Sequence, residues 1–135
     1  MKKMYLLCVL ILISFSLYSQ DIKFKKGKIL IDKVECLNYS GDANNVEIST
    51  LDGNNTIILK FIRTGIGFNG GLYNKIIFLE DSKSLTTRSY IFTKKLLVEK
   101  LLSEEVLKDC SIHSEKIDKF IVKFDEGIEE TLIRN

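Results

Sequence analysis

Apolar and polar residues alternate along most of the chain between positions 22 and 92, which is typical of strands with one buried face. Short turns separate the apolar runs, and short turns require antiparallel pairing because parallel neighbours need longer crossovers. The predicted strands cover residues 22–24, 28–31, 34–39, 46–49, 56–63, 72–80 and 84–92. We therefore predict an antiparallel β-meander of about six or seven strands.

The pattern changes to a helical repeat after position 93. Apolar residues recur at steps of three or four, which predicts one amphipathic helix over residues 93–107 and a second over residues 114–125. Thr93 and Ser114 are the predicted N-terminal caps, and Gly127 is predicted to end the second helix. Each apolar stripe needs a surface to cover, and the sheet provides one. The expected fold class is α+β, with both helices packed on the sheet.

The chain begins with Lys2 and Lys3, followed by an uncharged apolar run over residues 4–19. This pattern predicts a cleavable signal peptide over residues 1–19. An uncleaved anchor fits less well, because such a run spans about 24 Å and a hydrocarbon core is about 30 Å thick. Residues 20–135 are predicted to form a single domain: strand-rich over 22–92, helical over 93–125, with a tail that forms an edge strand or stays loose.

Export changes how the charge and the cysteines are interpreted. The full chain has 20 basic and 18 acidic residues, and loss of Lys2 and Lys3 with the signal leaves 18 of each. The mature chain then has no net charge, so we predict no nucleic-acid partner. Two cysteines remain, Cys36 and Cys110, and in an exported domain they favour a disulfide over two buried thiols. The absence of proline and the abundance of lysine, isoleucine and asparagine indicate an AT-rich, bacterial source. The expected location is periplasmic or secreted.

A glycine-rich segment follows the strand at 56–63. Gly65, Gly67 and Gly70 match the G-x-G-x-x-G spacing of dinucleotide sites, and Gly71 follows. A dinucleotide site needs a helix after these glycines, whereas the pattern here predicts another strand. We interpret the segment as a hairpin loop and predict no cofactor.

The same loop carries residues suited to contact a partner. Phe68, Asn69 and Tyr73 are the predicted ligand or partner contacts, because aromatic side chains on loops supply large contact areas. The alternative is that Phe68 and Tyr73 pack back on the sheet, as aromatic residues commonly do.

Catalytic and metal motifs are not evident. His113 is the single histidine, and no nucleophile motif lies near it in the sequence. Cys110 and His113 have the spacing of zinc ligands, but a structural zinc site needs a second Cys or His pair, which the sequence lacks. We predict no metal and interpret the histidine as a surface residue. The acidic residues near the C-terminus are interpreted as a solvated face, and the lysines near the start as protection of an edge strand. These residues are Asp125, Glu126, Glu129, Glu130, Lys23, Lys25, Lys26 and Lys28.

The expected function is a non-catalytic module of the bacterial cell envelope that binds another envelope or extracellular protein. The alternative is a small secreted hydrolase, or a hydrolase inhibitor, whose site is assembled only in the fold. A pocket with converging carboxylates of raised pKa favours an enzyme, and a protruding rigid loop favours a binding module or an inhibitor.

Overall fold

The computed structural model describes residues 20–133 and shows a seven-stranded antiparallel sheet whose strand order is the sequence order. This confirms the predicted meander and the α+β class. The predicted signal at 1–19 lies outside the described residues. The strands are β1 (Ile22–Lys25), β2 (Lys28–Ile31), β3 (Val34–Gly41), β4 (Asn45–Thr50), β5 (Thr56–Arg63), β6 (Leu72–Phe78) and β7 (Lys83–Thr87).

β5 and β6 are interior strands of the sheet, each paired on both sides. Directly opposed residues share a face, so the pairs Ile57 with Phe78 and Leu59 with Ile76 lie on one face, which we call the inner face. All four side chains are buried. The apolar runs that predicted central strands therefore form interior strands with buried side chains on the inner face.

The β2–β3 turn has the two residues that the sequence predicted, Asp32 and Lys33. Both adopt positive φ, at 51° and 69°. Positive φ at both central positions is the geometry of a type I′ turn, whose twist matches that of the two strands it joins. The turn thus forms without the glycine that usually occupies it.

A β-bulge in β3 places two neighbouring residues in the core. Ile29 pairs with Leu37 and the next residue, Leu30, pairs with Glu35, so Cys36 is an extra residue on its strand. Strict alternation would have put Cys36 and Leu37 on opposite faces. Both are buried, and the bulge therefore directs the cysteine towards the helical half of the domain.

β7 is shorter than predicted. The alternating pattern over 84–92 predicted a strand to Phe92, but the strand ends at Thr87. The buried side chain of Asn74 on β6 explains the change, since its Oδ1 accepts the backbone N–H of Phe92 at 2.5 Å. The amide also donates to the Lys60 carbonyl at 3.3 Å. This link turns residues 88–92 away from the sheet and towards the first helix.

The two predicted helices are present as α1 (Lys94–Ser103) and α2 (Ile117–Phe124). Thr93 caps α1 as predicted, because its Oγ1 accepts the N–H of Leu96 at 3.1 Å. Phe120 of α2 packs edge-on against Phe78 of the sheet, with ring centroids 5.9 Å apart. The helices thus cover the inner face.

A short hairpin that the sequence did not predict joins the helices. It pairs β8 (Leu107–Lys108) with β9 (Ser111–Ile112), and a 3₁₀ turn precedes α2. α1 ends earlier than predicted because Glu105, at φ 61°, turns the chain away. The prediction that Ser114 caps α2 is wrong, since its hydroxyl donates to Asp81 at 3.3 Å instead.

The tail forms neither an edge strand nor a loose end. Residues 128–133 form a short helix, α3 (Ile128–Ile133), after the left-handed Gly127 at φ 59°. Glu129 of this helix reaches Lys75, which lies on the outer face of the sheet. The chain has therefore crossed from the inner to the outer face around β7. Within residues 20–133, no helix has the length and apolar character needed to cross a bilayer.

Candidate functional site

The glycine-rich segment forms the loop between β5 and β6, residues 64–71. Two backbone hydrogen bonds close its neck, from Thr64 N–H to the Gly71 carbonyl at 3.3 Å and from Gly65 N–H to the Gly70 carbonyl at 2.9 Å. A 3₁₀ turn at Phe68–Gly71 leads directly into β6. The loop therefore connects two antiparallel strands, as the sequence predicted, and lacks the helix that would hold a pyrophosphate.

Gly71 is required for the shape of the loop. At φ 68°, a Cβ on this residue would lie 1.9 Å from Thr64 Oγ1 and 2.6 Å from the Ile66 carbonyl oxygen. The same Thr64 Oγ1 accepts the N–H of Ile66 at 3.3 Å. Gly65, by contrast, has nothing near its missing Cβ although its φ is also positive. The neck of the loop is packed and its glycines are not equivalent.

The loop tip, which we define as Ile66, Phe68 and Asn69, projects into solvent. The Ile66 side chain is 82% exposed and that of Phe68 is 97% exposed. Phe68 therefore does not pack back on the sheet. Ile66 was missed by the sequence prediction; an isoleucine between two glycines, outside any strand pattern, was the available signal.

Tyr73 does not belong to this tip. Its side chain is 5% exposed, and its hydroxyl donates to Glu129 Oε1 at 3.3 Å. Burial, followed by the negative charge of Glu129, raises the pKa of the Tyr73 hydroxyl. The structure thus separates the two predicted aromatic contacts: Phe68 faces solvent, whereas Tyr73 supports the C-terminal helix.

Cys36 and Cys110 lie at disulfide distance, with their Cα atoms 5.0 Å apart. The pair joins the bulged strand β3 to the β8–β9 hairpin. A cleft of about 270 Å³ lies beside it, lined in part by Asp52 and Ser111. Asp52 is engaged within its own turn, accepting from the Thr50 hydroxyl at 2.6 Å, and this bond lowers its pKa.

His113, Glu115 and Asp42 make contacts within their own turns. His113 is partly exposed, with Nδ1 3.3 Å from Glu115, and hydrogen bonding lowers the pKa of that glutamate. Hydrogen bonds from Asn44 and Asn45 likewise lower the pKa of Asp42. Among residues 20–133, no cluster of His, Cys, Asp or Glu side chains is arranged to hold a metal ion.

The early lysines lie on and beside the first edge strand. Lys23 and Lys25 are exposed on β1, Lys26 occupies the following turn, and Lys28 on β2 bonds the Asn38 side chain. Charged side chains along an edge strand oppose pairing with other chains. Their position fits the interpretation as edge protection.

Comparison with known proteins gives no match: no family model, no curated protein and no solved structure matches the chain. No function is therefore carried over from a relative. The exposed apolar tip of the 64–71 loop is the candidate contact site, because it places two large and highly exposed apolar side chains on one short loop.

Proposed function

We propose that the mature domain is an exported, non-catalytic binding module that inserts Ile66 and Phe68 into an apolar pocket of another envelope or extracellular protein. The observation that carries this proposal is the exposure of these two side chains on a hydrogen-bonded loop. The packed sheet and helices serve as the support, and the loop tip as the contact.

The energetics of the loop tip suit a contact of this kind. Transfer of a fully exposed Phe or Ile side chain into an apolar pocket contributes about 1.5–3 kcal/mol for each residue. Central aromatic anchors carry a large share of interface energy. The hydrogen bonds at the neck fix the loop before binding, which lowers the conformational entropy lost on association.

The resolved pKa shifts of the carboxylates lend no support to an acid catalyst. Hydrogen bonds lower the pKa of Asp42, Asp52 and Glu115, and at Glu126 they outweigh the opposing effect of desolvation. An acid catalyst requires the opposite direction of shift. A hydrolase inhibitor would use the same protruding loop, and the chemical nature of the captured partner distinguishes the two cases.

Export is supported by two independent features. The N-terminal pattern of Lys2, Lys3 and an apolar run is typical of a signal peptide. The cysteine pair at disulfide distance fits an oxidising compartment, where such bonds persist. We therefore propose a periplasmic or secreted location.

The test is a quantitative capture experiment with the mature chain and an envelope extract. A photo-crosslinking residue at position 68 should trap a discrete partner, and a Phe68→Ala, Ile66→Ala double variant should no longer retain that partner. The matched control is Val122→Ala, because Val122 is 84% exposed but lies on α2. Equal retention by the folded double variant and the control would refute the proposal. Tyr73 is unsuitable for this test because it is buried.

A further inference from the structure

A carboxylate cradle lies at the end of β7, in residues 87–89. Four hydrogen bonds from this segment end on the carboxylate of Glu126. The donors are the Thr87 hydroxyl, the Arg88 and Ser89 backbone N–H groups, both at 2.8 Å, and the Ser89 hydroxyl at 2.6 Å. Successive N–H groups with flanking hydroxyls form a binding site for an anion.

The residues on either side of Glu126 in the chain also contact the β7 edge. We call residues 125–133 the C-terminal strap. Glu126 N–H donates to the Thr86 carbonyl at 2.8 Å, and Thr86 N–H donates to Asp125 Oδ1 at 3.0 Å. Ile128 N–H donates to the Thr86 hydroxyl at 2.8 Å. The strap is thus held at the β7 edge around Thr86, by one main-chain hydrogen bond and by two bonds that each join a main-chain N–H to a side-chain oxygen.

The strap is held mainly by these polar contacts. Ile128 is its buried apolar residue, whereas Leu132 and Ile133 are exposed. A cleft of about 110 Å³ remains between the strap and β7, so the strap does not fill the groove. Segments that bury few apolar side chains open at a small fraction of the global unfolding free energy. Local opening of the strap would expose both the edge and the cradle.

The charges around the groove are complementary to an acidic segment. Lys75 lies on the outer face opposite Lys60. The Lys75 Nζ atom lies 2.9 Å from Glu129 Oε2 of the strap. Arg88 is exposed beside the cradle. An acidic peptide that replaced the strap would meet these same positive charges, whereas an uncharged strand would leave the cradle donors without an acceptor.

We propose that the β7 edge and the cradle form a second docking site, for an extended acidic segment of a partner protein, and that the strap occupies this site as a tethered competitor. The recognised chemistry is a carboxylate in the cradle next to a main-chain contact with Thr86. This site is separate from the 64–71 loop, so failure of one proposal leaves the other standing.

The test uses a synthetic peptide with the sequence of residues 124–131, added to the mature chain and to its Glu126→Ala variant. Loss of Glu126 weakens the internal competitor, so the variant should bind the peptide at least about tenfold more tightly than the unaltered chain. A peptide with Asn and Gln in place of its Asp125 and Glu126 should bind neither. The matched control variant is Glu130→Ala, since Glu130 is an exposed strap residue outside the cradle. Equal peptide affinity in the Glu126→Ala and Glu130→Ala variants would overturn the proposal.

A second measurement needs no variant. Hydrogen exchange in the unaltered chain should show the Arg88 and Ser89 amides opening at least about tenfold more often than the amides at the centre of β6. Excess peptide should slow exchange of the Arg88 and Ser89 amides, because it occupies the cradle whenever the strap opens. Exchange in β5 and β6 should not change. Exchange of the cradle amides only through global unfolding would overturn the proposal, because no partner could then displace the strap.

Discussion

Replacement of Glu126 by glutamine tests the energetic importance of the cradle. The amide keeps one acceptor oxygen but turns an NH₂ group towards donors that now bond a carboxylate. Desolvation of the carboxylate by neighbouring atoms, the largest single influence, raises the pKa of Glu126 although the residue as a whole is exposed. Hydrogen bonds from the Ser89 and Thr87 side chains and from the Ser89 and Arg88 N–H groups together outweigh desolvation and lower the pKa from 4.5 to about 2.

The size of the effect follows from this depression. For a shielded group, a fall from 4.5 to about 2 corresponds to roughly 3 kcal/mol of stability. Glu126 is exposed, so solvent screening reduces the expected contribution to about 1–1.5 kcal/mol. For a domain of this size, Glu126→Gln should lower the Tm by about 5 °C at pH 7.

The pH dependence gives an independent check of the sign. Because the folded-state pKa lies below the unfolded one, the stabilisation is present above about pH 4.5 and is lost as the pH falls towards 2. Denaturant unfolding of the unaltered chain and of Glu126→Gln should show a gap at pH 7 that narrows at pH 3. Glu130→Gln serves as the control and should change stability by less than about 0.5 kcal/mol. A Glu126→Gln variant as stable as this control, or a gap that is unchanged at pH 3, would show that the reasoning is wrong.

Three further predictions follow from other parts of the domain. Mass spectrometry under non-reducing conditions should find Cys36 linked to Cys110, and two unlinked thiols would contradict the pairing. Reduction should lower the free energy of unfolding by about 4 kcal/mol, because the bond closes a loop between residues 74 positions apart. Gly71→Ala should destabilise the chain by about 1–3 kcal/mol, and more than Gly65→Ala, because of these two loop glycines Gly71 alone lacks room for a Cβ. Equal effects would argue against a packed loop neck. Asn74→Ala should cost about 1–3 kcal/mol in thermal unfolding because it leaves a buried N–H without its acceptor, and an unchanged Tm would mean that water replaces the side chain.

Local chemistry was sufficient to predict the frame of the fold. Thr56–Arg63 is largely apolar on both faces and forms the interior strand β5, with the bounds that the sequence indicated. Asp32 and Lys33 form the predicted two-residue turn, and Thr93 caps α1. Each of these features depends on residues close in sequence, where periodicity and side-chain propensity act directly.

The features that the sequence could not supply depend on residues far apart. The pattern over 84–92 fits a strand, but a hydrogen bond from Phe92 to the distant Asn74 ends it at Thr87. The sequence around Glu126 could not show that its carboxylate lies in a cradle formed by residues 37 to 39 positions earlier in the chain. Glu126 was therefore interpreted as part of a solvated face.

The candidate site divides in the same way. The sequence alone determined that residues 65–71 form a glycine-rich connection between strands, because glycines and the flanking apolar runs are local signals. Only the tertiary structure decided that Phe68 faces solvent and Tyr73 does not, since burial depends on which element covers each side chain. Glu129 of the C-terminal helix contacts Tyr73. The position of this helix beside β7 depends on contacts between residues far apart in the sequence, which no local pattern encodes.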